Sequence, residues 1–176
     1  MKKFQSPVKN RLGIGLGFVF LTIVLYLVIA SPQIFKVSGD SMYPTIKDGD
    51  YKIVYNSLNK NPERGDIVVV DSPDVTGKQY IKRVIALEGD TLSFKDDRMF
   101  LNGKQVEEPY LDPLKSEQTA GTILTNDFSL EILGNGKVVP KGEVFVLGDN
   151  RLDSKDSRDF GTFKKGLIKG IVHSIK

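Results

Sequence analysis

The chain has 176 residues, 40% hydrophobic and 27% charged, which is the composition of an ordered protein long enough for one globular domain. There is no cysteine, which excludes disulfide staples, thiolate metal sites and a cysteine nucleophile, and the lone His173 cannot make a histidine-rich metal site. The net charge of +3 resides in a tail bearing Lys2, Lys3, Lys9 and Arg11 without any acid; the remainder is close to balance, which excludes a broad basic surface for nucleic acid.

Residues 1–11 read as a cytoplasmic basic tail. Residues 12–30 (LGIGLGFVFLTIVLYLVIA) carry no charge and, as a helix, span roughly 28 Å, about the hydrocarbon thickness of a bilayer. The lysines and arginine before this run keep the N-terminus inside, so a single transmembrane anchor leaves 31–176 outside the membrane. A cleaved signal peptide shares the basic start and the small Ala30, but its apolar core is usually about 7–15 residues, shorter than this one. Ser31-Pro32 ends the helix, because the residue before proline is pushed out of the α region.

Beyond the anchor the chain reads as short strands. Tyr51–Tyr55, Asp66–Asp71 and Gln79–Leu87 are rich in β-branched and aromatic residues. Thr91–Phe94 and Arg98–Leu101 flank Lys95-Asp96-Asp97 as a hairpin. Phe128–Leu133 and Lys137–Val139 flank Gly134-Asn135-Gly136 as a second. Glu143–Leu147 and Leu167–Ile175 complete the set, with His173 as a structural residue of the last. Residues 107–126, polar and with two prolines, read as an exposed excursion. The expected fold is therefore mostly β, an antiparallel sheet domain behind one N-terminal transmembrane helix.

Three clusters break the strand alternation. In Ser38-Gly39-Asp40-Ser41-Met42-Tyr43-Pro44-Thr45, a serine beside glycine and near proline sits in a turn that exposes its hydroxyl and frees backbone N–H groups, as a nucleophile with an oxyanion hole needs. In Tyr80-Ile81-Lys82-Arg83-Val84-Ile85, alternation puts Lys82 with Val84 and Arg83 with Ile81 and Ile85, so one cation shares a face with hydrophobic residues. Free lysine, with a pKa near 10.4, is neutral in only about one molecule in 2,500 at pH 7; burial lowers that pKa and makes a base. Edge-strand lysines snorkel to water instead, and that reading stands beside the first. The third cluster, Gly148 to Arg158, is a polar turn without the central glycine and terminal glutamate of an EF-hand. It reads either as a surface loop or as a network holding Ser154 against Lys82, with Asp156 and Arg158 paired as its scaffold.

In order behind one anchor, these clusters resemble the boxes of the type I signal (leader) peptidases, in their compact Gram-positive form. Ser41-Met42-Tyr43-Pro44-Thr45 matches the nucleophile box. Tyr80-Ile81-Lys82-Arg83-Val84 with Glu88-Gly89-Asp90 matches the lysine box. Gly148-Asp149-Asn150-Arg151 with Ser154-Lys155-Asp156-Ser157-Arg158 matches the last. The resemblance implies a Ser-Lys serine endopeptidase of the bacterial cytoplasmic membrane that cuts signal peptides from exported preproteins after Ala-x-Ala-like sites, with no cofactor and no metal. It implies Ser41 as nucleophile, Lys82 as general base, Ser154 hydrogen-bonded to the Lys82 amine, and the Ser41 N–H as oxyanion donor. Val37, Met42, Ile46, Tyr80 and Ile81 would form small apolar subsites for a substrate bound as an added strand. Gly39 stands where some relatives have a serine that assists the oxyanion, so a backbone group or water would take over. Ala86 and Glu88 replace the usual glycine and proline and imply a local turn change. The alternative is a weakly active or inactive membrane-tethered accessory protein of the same fold; soluble self-cleaving Ser-Lys peptidases lack the anchor, and the Ser-Asp-Asn and Lys-Thr-Gly companions of Ser-x-x-Lys enzymes are absent.

Overall fold

The structure is a computed structural model in which residues 17–24, 32–56 and 61–173 are described. The chain divides into two units, 1–32 and 33–176. In the first, residues 17–24 are helical and expose Phe18, Val19, Phe20, Leu21 and Ile23. The rest of the expected anchor lies outside the described residues, and among these no helix is long and apolar enough to cross a membrane.

The second unit consists mainly of antiparallel strands. These are β1 (Gln33–Lys36), β2 (Tyr51–Asn56), β3 (Ile67–Asp71), β4 (Gln79–Leu87), β5 (Leu92–Lys95), β6 (Arg98–Leu101), β7 (Lys104–Val106), β8 (Phe128–Ser129), β9 (Glu143–Leu147), β10 (Phe163–Lys164) and β11 (Ile168–His173). A seven-stranded sheet runs β1-β2-β11-β3-β4-β9-β10, and a four-stranded sheet runs β7-β6-β5-β8. Backbone pairing sets His173 opposite Ile53.

The larger sheet is buried on both faces at its centre, because its strands alternate between apolar clusters rather than between oil and water. In β9, Val144 and Val146 join Val68, Val70 and Val84, while Phe145 and Leu147 join Ile85, Phe94 and Phe128 against the smaller sheet. Val69, between Val68 and Val70, turns to a third cluster with Val37, Met42, Ile46 and Val54. This third cluster underlies the turn that carries Ser41.

The β5–β6 hairpin turns through Asp96 and Asp97, both with positive φ (51° and 58°), as a two-residue turn matched to strand twist requires. The second expected hairpin does not form. Phe128 pairs with Phe94 of β5, and the chain then turns through 131–136. Val139 exchanges backbone hydrogen bonds with the Gly89–Asp90 turn instead, its N–H donating to Asp90 O (2.9 Å) and its carbonyl accepting from Gly89 N–H (2.9 Å). Leu130 and Val139 are both buried, so packing of these two side chains outweighs the Gly-Asn-Gly turn signal.

Residues 107–126 include a 3-10 turn at Pro109–Leu111 and helix α1 at Asp112–Glu117. Most of the segment is exposed, but Glu108, Leu111, Leu114, Leu124 and Thr125 are buried and fasten it to the domain. At the end of β4, Ala86 does not turn the chain. It stays in the strand opposite Phe145, after a register shift between Val84 and Ala86, and the turn falls at Glu88-Gly89. Glu88 accepts the Gly142 N–H (2.7 Å) and pairs with Lys165 (3.2 Å).

Phe145 has no exposed surface and packs at 5.9 Å from the Phe128 ring. Truncating a buried phenylalanine to alanine removes its transfer free energy and leaves a cavity. Phe145→Ala is expected to lose about 3–5 kcal/mol of stability, read from urea unfolding.

Candidate active site

The turn after β1 is built on its apolar side chains. Met42 and Ile46 are buried in the third cluster, and the Ile46 N–H donates to Met42 O (3.0 Å). Tyr43 N–H donates to Asp40 O (2.9 Å), which leaves the amides of Ser41 and Met42 inside the turn without a bond to it. Gly39 has φ +93°, which a side chain would resist, and its N–H donates to Asp48 Oδ1 (2.8 Å). Asn150 clasps the turn from outside: its N–H donates to Ser41 O (3.1 Å) and its Nδ2 to Asp40 O (3.2 Å). Ser41 is partly exposed.

Lys82 sits in β4 opposite Val68 and is 1% exposed. Its Nζ donates to Ser41 Oγ (2.7 Å) and to the Ile81 carbonyl (2.9 Å), and lies 5.2 Å from the centre of the Tyr80 ring. Burial pushes its pKa down from 10.5 to about 8; Asp156 and Asp149 pull it back up, while Arg158 and Lys78 press it down. Two residues 41 positions apart in sequence are thus in hydrogen-bond contact.

Alternation assigned only one of Lys82 and Arg83 to an apolar face, yet both are buried. Arg83 grips Asp149 with two bonds, Nε to Oδ1 (2.8 Å) and a terminal nitrogen to Oδ2 (2.6 Å), and donates to Gly65 O (2.9 Å). Thr45 Oγ1 donates to Asp149 Oδ2 (2.5 Å). One carboxylate therefore ties the serine turn to the lysine strand. Asp149, Asn150 and Thr45 stood in the motifs without a role; the clue was the second cation beside Lys82, which could not be buried without a partner.

Asp156 and Arg158 are paired through Nε to Oδ1 (2.9 Å) and a terminal nitrogen to Oδ2 (2.8 Å). Asp156 also accepts the Gly148 N–H (3.0 Å) and caps helix α2 (Ser157–Phe160) in a reciprocal box with Asp159. Arg151, fully buried, pairs with Glu108 and donates to Thr125 Oγ1 (3.0 Å), joining this loop to the 107–126 segment. The expected bond from Ser154 to the Lys82 amine is absent from this structure: its Oγ is buried and has no hydrogen-bond partner among the described residues. It is pressed against Gly148, where a Cβ would collide with Ser154 and with the Ser41 carbonyl. The amine is occupied by Ser41 and Ile81 instead.

A cavity of about 190 Å³ opens beside Ser41. Val37, Gly39, Met42, Tyr80 and Ile81 line it. Ile46 is not on its wall but lies beneath, in the third cluster. Phe35, Val69 and Gln79 also line it and carried no sequence signal beyond ordinary strand composition.

The profile of the family described as "Signal peptidase, peptidase S26" matches residues 11–175, and the chain belongs to this family of signal-peptide-processing peptidases. Signal peptidase I V of Bacillus subtilis is 42% identical over 166 residues, 93% of this chain and 97% of that protein. Signal peptidase IB of Staphylococcus aureus is 37% identical over 169 residues, 92% and 84% of the two chains. A crystal structure of a signal peptidase I from Enterococcus faecalis is 39% identical, with a TM-score of 0.61 over 65% of this chain and 98% of its own.

A lysine buried with a pKa near 8 carries a folding penalty at neutral pH, since the unfolded chain binds its proton more tightly. That penalty is full below about pH 8 and vanishes as pH rises through 10.5. Lys82→Met is therefore expected to be more stable than wild type by roughly 2–3 kcal/mol at pH 7, with the gap closing toward pH 10.5, in urea unfolding at several pH values.

Proposed function

We propose that this protein is a membrane-bound serine endopeptidase that removes N-terminal signal peptides from exported preproteins after Ala-x-Ala-like sites, with Ser41 as nucleophile and Lys82 as general base. The observation that carries the reading is the 2.7 Å contact between Lys82 Nζ and Ser41 Oγ, made by a lysine that burial has driven toward neutrality.

In the neutral state of Lys82 the same contact runs in the opposite sense, with the serine hydroxyl donating. Lys82 takes that proton as Oγ attacks the scissile carbonyl, and the carbonyl oxygen becomes an oxyanion facing the free amides of the turn. The ammonium of Lys82 returns its proton to the leaving amine, which departs as the new N-terminus of the mature protein. A water then gives its proton to Lys82 and attacks the acyl-serine; Lys82 hands that proton to Oγ, and the signal peptide leaves with a carboxylate.

Subsite geometry supports the substrate class. Residues 79–83 of β4 pair with β3 on one side, whereas β9 reaches β4 only from Arg83 onward. The other edge of Gln79–Lys82 is open beside the cavity, and an extended peptide can add there as a strand. A cavity of about 190 Å³ walled by Val37, Met42 and Ile81 suits small apolar side chains such as alanine. The uncharged run 12–30 and the basic residues before it support a single-pass anchor with the N-terminus in the cytoplasm and the catalytic domain outside. Tethering keeps the site near membrane-held signal segments and raises their effective concentration.

Cleavage of an Ala-x-Ala preprotein in detergent or lipid tests this. Ser41→Ala and Lys82→Ala are each expected to fall at least about 1,000-fold while remaining folded. The wild-type rate should climb about tenfold per pH unit on the acidic side and level off above an apparent pKa near 8. A limb at the ordinary lysine value, or cleavage surviving Ser41→Ala, would contradict the assignment.

A further inference from the structure

The β3–β4 hairpin brings a second lysine to the active site. Its tip, 72–78, is closed by Ser72 N–H donating to Lys78 O (2.8 Å) and Lys78 N–H donating to Val75 O (3.2 Å), with Gly77 in the left-handed region (φ +80°). Lys78 is exposed, and its Nζ lies 5.1 Å from the centre of the Tyr80 ring. Lys82 Nζ lies 5.2 Å from the same centre, so the two nitrogens are within about 10 Å of each other. The ring is fixed: it stacks on Phe160 of α2 at 6.0 Å, and its hydroxyl donates to Asp74 Oδ1 (3.4 Å).

We propose that Lys78, held at the hairpin tip against the Tyr80 ring, acts electrostatically on Lys82 and makes the general base easier to deprotonate. The inference rests on the reading of Lys82 as base. Lys78 touches neither the Ser41 hydroxyl nor the amine; it acts through Lys82.

The charges around Lys82 make this role specific. From the loop 148–158, Asp149 and Asp156 favour its ammonium and Arg158 opposes it. Asp149 is paired with Arg83, and Asp156 with Arg158, yet both still pull the Lys82 proton affinity upward. On its own strand the Tyr80 ring favours the ammonium, because a ring face attracts a cation. On the hairpin tip Asp74 is engaged by Ser72 and the Tyr80 hydroxyl and lies within the field of Lys155. Lys78 opposes the ammonium across the same ring that favours it. Because it is exposed, it does so without itself being buried, and salt screens its effect.

The test is the pH dependence of kcat and kcat/KM for wild type, Lys78→Gln, Lys78→Glu and Lys78→Arg on a neutral Ala-x-Ala peptide. Two unit charges about 10 Å apart, partly through solvent, interact enough to move the acidic limb by roughly 0.3–0.8 pH units. Lys78→Gln is expected to raise the limb by that amount and Lys78→Glu by about twice as much. Lys78→Arg should superimpose on wild type, and the shifts should shrink in about 1 M salt. Superimposable limbs for wild type, Lys78→Gln and Lys78→Glu, with Lys82→Ala inactive, would overturn the role of Lys78 alone. A change confined to KM would also overturn it, marking Lys78 as a substrate contact. Full activity in Lys82→Ala would overturn both this inference and the base on which it rests.

Discussion

The protein depends on one costly act, the burial of a lysine amine in a sheet strand beside a serine. Fully withdrawn from solvent, Lys82 keeps two short polar contacts among the described residues, to Ser41 Oγ and to the Ile81 carbonyl. Burial of an ammonium disfavours the charged form, and the reduced proton affinity is the property a general base needs near neutral pH. On the proposed mechanism the destabilisation is inseparable from the chemistry, and the surrounding fold has to hold the amine against relaxation toward water.

Three elements meet to do so. Valines on both faces of the central strands make β3, β4 and β9 a rigid platform, and Met42 and Ile46 plant the serine turn on its third cluster. Charged pairs then lock the loops onto that platform. Arg83–Asp149 joins the lysine strand to the last loop and, through Thr45, to the serine turn. Asp156–Arg158 and Glu108–Arg151 fix the same loop from two further sides. Buried pairs of this kind add little net stability over an apolar core, but removal of one partner is strongly unfavourable, so they specify geometry more than they stabilise. The loop 148–158 is thereby held from several directions.

Much of the fold was legible in the sequence, where β-branched runs have nothing to compete with. The limits of β4, β6 and β9 agree with the runs 79–87, 98–101 and 143–147, and the Asp96-Asp97 hairpin follows from its turn residues. Legibility failed where tertiary packing overrode local signals. Gly134-Asn135-Gly136 has hairpin chemistry, yet Val139 bonds across to the Gly89–Asp90 turn because its side chain is needed in the core. The polar composition of 107–126 concealed the few apolar residues that fasten it. At the site, Ser41 and Lys82 were visible as breaks in pattern. The Asp149 bridge was not, because a carboxylate shared by an arginine and a threonine from distant segments has no local spacing. Ser154 is the converse case: its motif position suggested a bond to Lys82, but its buried hydroxyl has no partner among the described residues and lies against Gly148, where a side chain would collide with it.

The most direct measurement is to capture the acyl-enzyme. A p-nitrophenyl ester of an Ala-x-Ala peptide would transfer its acyl group to the nucleophile and release p-nitrophenol; acid quenching followed by peptide mass mapping would locate the adduct. The mechanism requires the adduct on Ser41, formed faster as pH rises toward 8 and absent in Lys82→Met. An adduct on another residue, or acylation of Ser41 at the wild-type rate in Lys82→Met, would contradict the Ser41–Lys82 pair as the catalytic unit.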